Sequence, residues 1–199
     1  KFTIIPNITS SKVIKEKAEK FYPSEYTNKT KNILSIGRLT EQKAFERVVY
    51  VSDLMKKNEI DFKWYIIGDG YEKNKLNLLI EKYDLKDKVK LIGTKENPYP
   101  YIKYSDIIVQ TSKFEGKSIV LDEAKILAKP IVSTKYNSVV DQVINEKEGL
   151  VVEQDIISIY NGIYRMINDK ELYNNIEEFL KRNDYGNEHN IKLFYDIIK

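Results

Sequence analysis

The sequence contains no cysteine and only one histidine among its 199 residues. The lack of cysteine excludes disulfides, zinc–thiolate sites and thiol nucleophiles. The single histidine, His189, lies in a polar segment near the C-terminus, where we expect a surface role. The composition therefore offers no ligand set for a structural transition-metal site.

Long apolar runs are also missing. No run approaches the roughly 20 residues that a helix needs to cross a bilayer. The first six residues, KFTIIP, include neither an initiator methionine nor the apolar stretch of a signal peptide. We expect the chain to be a piece of a longer protein.

Neither sign of charge dominates, because 33 Lys and Arg face 30 Asp and Glu, for a net charge of +3. The basic residues are scattered along the chain, whereas nucleic-acid-binding domains concentrate them in a patch or stripe. We therefore expect no nucleic-acid partner. A hydrophobic share of 42% and a charged share of 32% indicate a globular chain of about one domain.

Six short runs rich in Ile and Val alternate with segments of helical period from residue 31 onward. This alternation predicts a doubly wound, Rossmann-like α/β fold with a parallel sheet of about six strands. The predicted strands cover 32–36, 62–67, 89–92, 107–111, 130–134 and 149–152.

The same pattern predicts the division of the chain. Residues 1–30 form a lead-in with one short helix, and 31–182 form the main domain. Helices are predicted at 156–168 and 170–182, after the last strand. Residues 183–199 are expected to form a C-terminal helix.

Glycines after two of the strands invite comparison with nucleotide-binding motifs. Gly116-Lys117-Ser118 matches the end of a P-loop, but Thr111 stands where its first glycine is required. Gly68-Asp69-Gly70 lacks the third glycine of a dinucleotide fingerprint and indicates a tight turn, with the aspartate capping the next helix. Neither motif is complete.

Two loops after strands have complementary chemistry. In one, Gly37 permits a tight turn, while Arg38 and Lys43 offer cationic donors that suit a diphosphate. In the other, Glu115 and Glu123 flank the start of a helix, and such carboxylates accept hydrogen bonds from sugar or ribose hydroxyls. The competing interpretation is a solvated basic loop and a solvent-facing Glu123.

Glu115 and Glu123, within EGKSIVLDEA, resemble the E-x7-E motif of retaining GT-B glycosyltransferases, in particular family 4, also called glycosyl transferases group 1. The segments SIGRLTEQKAF, YIIGDG, YSDIIVQTSKFEG, AKPIVST and EGLVVE are similar to other family segments, in the same order. The resemblance covers roughly residues 4–170, and the ordered combination is more specific than any single motif.

The resemblance implies the C-terminal, donor-binding half of a two-domain enzyme, with residues 1–30 as interdomain linker. The C-terminal helix would then pack toward the missing N-terminal domain, which binds a glycan or glycolipid acceptor. The resemblance implies transfer of a hexose from a nucleotide-diphosphate sugar, with UDP the commonest nucleotide, and no metal or cofactor. It also implies a bacterial, cytoplasmic protein of polysaccharide biosynthesis, at most in peripheral contact with the inner membrane face.

Residue roles also follow from the resemblance. Arg38 and Lys43 would hold the diphosphate and stabilise the leaving group, and with Glu115 they form the expected catalytic set. Glu115 would bind the transferred sugar, and Glu123 the ribose. The expected donor-binding residues are Gly37, Arg38, Lys43, Gly68, Gly93, Thr94, Glu115, Gly116, Lys117, Ser118, Ile119, Val120 and Glu123.

The sequence also departs from the family pattern. Ala44 replaces the usual glycine, Lys117-Ser118 replaces a common Phe-Gly pair, and residues 135–142 replace a glycine-rich loop. A glycoside hydrolase would also use two acidic residues but does not need the neighbouring cations. A nucleotide-binding regulatory or interaction module and a GT-B sugar-nucleotide epimerase stay open as competing functions.

Overall fold

The Ile- and Val-rich runs form one parallel sheet in the computed structural model, which describes residues 9–188. Its strand order is β3-β2-β1-β4-β5-β6, the order of Rossmann folds. The predicted fold class is confirmed. The strands are β1 Lys31–Ile36, β2 Phe62–Ile67, β3 Val89–Leu91, β4 Ile107–Gln110, β5 Ile131–Thr134 and β6 Gly149–Val152.

Helices connect the strands and cover both faces of the sheet. The last two match the predicted bounds because each begins at an aspartate cap: Asp155 accepts from the Ser158 N–H, and Asp169 from the Leu172 N–H. The helices are α1 Ser11–Ala18, α2 Glu46–Lys57, α3 Lys73–Lys82, α4 Tyr99–Tyr104, α5 Ile119–Ile126, α6 Ile156–Asn168 and α7 Lys170–Arg182, with a 3-10 turn at Val139–Asp141. None of the helices in residues 9–188 is long and apolar enough to span a membrane.

Alternate strand residues point to two separate apolar layers. Ile33, Trp64 and Ile66 pack beneath α2, α3 and α6, whereas Leu34 and Ile108 pack beneath α4 and α5. Such two-sided burial explains why the strands are continuous apolar runs and not alternating ones. The sheet and the helices packed on it therefore form a rigid frame, which fixes where the loops at the carboxyl edge of the sheet begin.

The segment before β1 packs against this frame. Helix α1 contacts α4 and α5, and the buried Tyr26 donates its hydroxyl to the Tyr101 carbonyl at 3.0 Å. The Thr9 N–H also donates to Asn187 Oδ1 at 2.6 Å, which joins the two ends of the described chain. The predicted boundary at residue 31 stays a prediction. The predicted C-terminal helix, 183–199, is wrong at its start, because Asn183 is extended and residues 183–187 are not helical. Its remainder, 189–199, lies outside the described residues.

Candidate functional site

The strand order reverses between β1 and β4, and this switch point opens a crevice at the carboxyl edge of the sheet. The loop after β1 and the loop after β4 both lead into it. An ion pair joins the two loops, with 2.5 Å between Lys43 Nζ and Glu115 Oε1. The structure therefore brings together the two loops that the sequence singles out.

Three donors hold the Glu115 carboxylate, whose side chain is only 10% exposed. Besides Lys43, the Ser112 hydroxyl donates to Oε1 at 2.7 Å, and Gln42 Nε2 donates to Oε2 at 3.2 Å. With this many partners, the carboxylate is held in one orientation. Glu115 therefore lies in the crevice as a fixed acceptor with its charge balanced by Lys43.

The β1 loop depends on two special backbone positions. The Lys43 side chain crosses Gly37 so closely that a Cβ on Gly37 would lie 2.9 Å from Lys43 Cε. Ala44 is fully buried and has φ 51°, the left-handed conformation that glycine adopts without strain. The departure from glycine at this position thus keeps a conformation that favours glycine.

Arg38 is exposed at the mouth of the crevice. Within residues 9–188, its guanidinium makes no hydrogen bond or ion pair. It lines a pocket of about 400 Å³, whose other residues are Thr40, Glu41, Gln42, Tyr71, Lys113 and Phe114. An unpaired guanidinium offers a planar fork of donors that matches phosphate oxygens.

The start of α5 differs from the expectation in one respect. The Ser118 N–H donates to Gln142 Oε1 at 3.0 Å, and the Ser118 hydroxyl donates to Gln110 Oε1 at 2.6 Å. Ser118 thus has no free donor for an anion. Within residues 9–188, no side chain caps α5, so the N–H groups of Ile119 and Val120 in its first turn lack such a partner.

Neighbouring residues of this loop also face different ways. Lys117 turns to Asp122, with 2.9 Å between Nζ and Oδ2, and its charge is thereby balanced. A Cβ on Gly116 would meet nothing within 4 Å, so space alone does not require glycine there. Ser118 has φ −83°, a conformation open to any residue, which explains why serine can replace glycine.

Glu123 is half-buried, and the Tyr99 hydroxyl of α4 is the polar group that most stabilises its charged form. Burial raises the pKa of Glu123 to about 7, although the Tyr99 hydrogen bond lowers it. The competing interpretation of a solvent-facing Glu123 is wrong. Tyr99 was not among the predicted residues, because prolines at 98 and 100 hide the short helix that carries it.

The ends of β2 and β3 complete the rim. Gly68 has φ 147°, and a Cβ there would lie 1.9 Å from the Gly37 carbonyl oxygen, so only glycine fits. Its N–H donates to the Gly93 carbonyl at 3.0 Å, and Gly93 has φ 69°. The exposed Thr94 follows. Gly37, Gly68 and Gly93 therefore form a continuous seam beside the crevice.

Asp69 does not cap a helix as predicted. It accepts from the Gly70 N–H at 2.8 Å and pairs with Lys73, the first residue of α3, at 3.1 Å. The tight turn is present, but Asp69 lies four residues before the first residue of α3, Lys73, and the N-cap position belongs to Glu72. Across residues 9–188, no three His, Asp or Glu side chains are grouped to hold a metal ion.

Comparison with known proteins gives the family of this site. A family model described as glycosyl transferases group 1 matches residues 16–182. The chain belongs to this family. In this group 1 domain, the match includes both loops of the crevice and all six strands.

Two relatives of this group 1 domain are sugar-transferring enzymes by name. The amylovoran biosynthesis glycosyltransferase AmsD of Erwinia amylovora is 30% identical over 176 residues, which are 87% of this chain and 49% of that protein. The N-acetylgalactosamine-N,N'-diacetylbacillosaminyl-diphospho-undecaprenol 4-alpha-N-acetylgalactosaminyltransferase of Campylobacter jejuni is 34% identical over 146 residues, 72% and 39% of the two chains. The chain thus spans about half or less of these curated relatives.

Solved structures show the same fold. Anabaena HepE in complex with UDP superposes with a TM-score of 0.82 at 16% identity, covering 98% of this chain and 57% of that one. A mutant of S. aureus TarM, in complex with fondaparinux, alpha-GlcNAc-glycerol and UDP, superposes with a TM-score of 0.75 at 24% identity. The match covers 98% of this chain and 38% of that one.

Proposed function

We propose that this group 1 domain is the donor-binding half of a retaining, family 4 glycosyltransferase that transfers a hexose from a UDP-sugar to a glycan or glycolipid. The observation that carries the proposal is the contact of Lys43 with Glu115 across the switch point, beside the unpaired Arg38. This contact supports the proposal because it brings cations and a carboxylate together at the edge where such sheets bind nucleotides.

The diphosphate would lie between Arg38 and Lys43. As the bond from the sugar to the diphosphate breaks, negative charge grows on the leaving UDP, and these fixed cations would stabilise it. Lys43 already contacts Glu115, so the diphosphate would share a cation whose position is set before binding. No step of this proposal requires a metal or other cofactor.

The two carboxylates would bind different hydroxyls. Glu123, one helical turn inside α5 and backed by Tyr99, would accept from the ribose, and Glu115 would accept from the transferred sugar. The base would lie at Gly93 and Thr94, where the exposed backbone follows β3. Gly68 would shape the wall of the crevice through its main chain.

Names of relatives support the nucleotide and the acceptor class. HepE and TarM have been crystallised with UDP, and the Campylobacter relative acts on a diphospho-undecaprenol glycolipid by name. An acceptor-binding N-terminal domain in the longer protein would complete the enzyme. The proposed location is the cytoplasm, at the inner membrane face when the acceptor is lipid-linked.

The test is sugar transfer by the longer protein that includes an acceptor-binding half. UDP-glucose, UDP-galactose and their N-acetylhexosamine counterparts are supplied with octyl-glycoside acceptors, with and without EDTA. We expect UDP release with one donor, unchanged by EDTA, and an α-linked first product by proton NMR. The same protein with Glu115→Gln is the control and should lose transfer.

Three results would contradict parts of the proposal. A β-linked first product would exclude the retaining mechanism, and loss of activity in EDTA would exclude metal independence. UDP binding without transfer or donor hydrolysis would indicate a nucleotide-binding module.

A further inference from the structure

Gln142 pairs with the main chain at the start of α5. Its Oε1 accepts from the Ser118 N–H at 3.0 Å, and its Nε2 donates to the Ser118 carbonyl. The side chain is buried, with the whole residue 6% exposed. One amide thus satisfies both main-chain groups of Ser118, as a neighbouring strand would.

The orientation of the Gln142 amide is fixed by its surroundings. Nε2 also donates to Asp122 Oδ1 at 3.2 Å, so the NH₂ group faces a carboxylate and the oxygen faces the Ser118 N–H. The Gln142 carbonyl accepts from Lys125 Nζ at 2.7 Å, and that ammonium lies 3.7 Å from Glu148 Oε2. These buried charges hold both the main chain and the side chain of Gln142.

A second glutamine holds the Ser118 side chain. Gln110 accepts from the Ser118 hydroxyl and donates to the Tyr136 hydroxyl, both at 2.6 Å. Ser118 and the 135–142 loop are both departures from the family pattern. Here Gln142 of the loop contacts Ser118 directly, and Tyr136 is linked to it through Gln110. The two departures are therefore one structural unit.

We propose that Gln142 is a positioning residue that selects the donors of α5 which face the diphosphate. By occupying the Ser118 N–H, it leaves the N–H groups of Ile119 and Val120 as the first-turn donors. It also fixes the direction in which α5 leaves the loop. The functional part of this inference rests on the proposed donor site.

The test uses Gln142→Met, which keeps the length of the side chain but removes both hydrogen bonds to Ser118. Gln142→Asn, one methylene too short, is a second variant. Asp141→Asn is the matched control, because Asp141 is exposed on the same turn and its carboxylate has no partner within residues 9–188. Amide hydrogen exchange at Ser118 and the affinities for UDP and uridine are measured on each folded variant.

We expect Ser118 exchange to accelerate roughly tenfold or more in both Gln142 variants, because its N–H loses its acceptor. UDP affinity should fall about tenfold while uridine affinity changes less than about twofold. The Asp141→Asn variant should match the wild type in all three measurements.

Unchanged Ser118 exchange would overturn the inference, whatever happens to UDP. Faster exchange with unaltered UDP affinity would equally overturn it. A wild type that binds UDP no more tightly than uridine contradicts the proposed function instead. In that case the exchange data alone decide whether Gln142 orders the start of α5.

Discussion

Glu123 combines burial with a carboxyl group that has no cationic partner within residues 9–188. Its neighbours are the Tyr99 hydroxyl and Asp122, and burial raises its pKa to about 7. An ionised carboxylate in this position is destabilised unless hydroxyl groups donate to it. A ribose would supply two such donors, so the unfavourable burial of the ionised carboxylate would be relieved by the proposed ligand.

This raised pKa predicts how stability depends on pH. The unfolded carboxyl loses its proton near 4.5 and the folded one near 7, so the free energy of unfolding falls as pH rises between these values. The free energy of unfolding of Glu123→Gln should therefore exceed that of the wild type by on the order of 2–3 kcal/mol at pH 8. At pH 4 the two free energies should be equal. Urea unfolding followed by the fluorescence of Trp64, the only tryptophan, measures this difference.

Glu59→Gln, at an exposed position, serves as the control and should show no such pH dependence. A wild type as stable as Glu123→Gln at pH 8 would contradict the buried, unpaired state of Glu123. An equal gain at both pH values would indicate a packing effect with no connection to ionisation.

At the scale of elements, α2, α3 and α5 end in the same way. In each, the second residue after the helix is left-handed, at φ 55° for Glu59, 51° for Asp84 and 53° for Ala128. The N–H of the next residue then bonds back to a carbonyl five residues earlier, as Ile60 does to Met55. Glycine adopts this conformation without strain, yet none of the three positions has it.

Replacing Glu59 by glycine should therefore stabilise the protein by about 1 kcal/mol, the strain of a left-handed residue less the added freedom of the unfolded chain. Glu59 is exposed, so little packing is lost. Urea unfolding gives the change, with Glu59→Ala as the matched control that keeps a Cβ and gains nothing. A destabilised Glu59→Gly variant would contradict the strain at this helix end.

Strands were easier to predict than the ends of α2, α3 and α5. Burial on both faces makes each strand a continuous apolar run, so every predicted strand lies within one residue of its observed bounds. Helix α4 was missed because Pro100 lies inside it. The ends of α2, α3 and α5 could not be located in this way, because no glycine marks them in the sequence.

At the scale of the whole molecule, strand order determines where the chemistry lies. Alternating strands and helices predicted the sheet, and the sheet places the loops after β1 and β4 side by side. The contacts within the site could not be predicted in this way. Lys43 and Glu115 are 72 positions apart and Ser118 and Gln142 are 24 apart, so no local spacing records either contact.

The pocket at the mouth of the crevice contains two cations and one carboxylate, that of Glu41. Net charge is only +3, but Arg38 and Lys113 share one pocket, and neither side chain has a partner within residues 9–188. Most lysines elsewhere in this part of the chain pair with carboxylates, such as Lys181 with Glu177. We expect the unpaired Arg38, together with Lys43 on the same loop, to bind the diphosphate.

The most direct test compares the affinities for UDP and uridine by calorimetry. It uses the wild type, a double variant with Arg38→Ala and Lys43→Ala, and a control double variant with Lys181→Ala and Arg182→Ala. The control removes the same charges from the exposed end of α7. We predict that the wild type and the control bind UDP at least about tenfold more tightly than uridine, and that the Arg38 and Lys43 variant binds both alike. Equal affinities in the wild type, or a preference for UDP that survives loss of Arg38 and Lys43, would contradict the account.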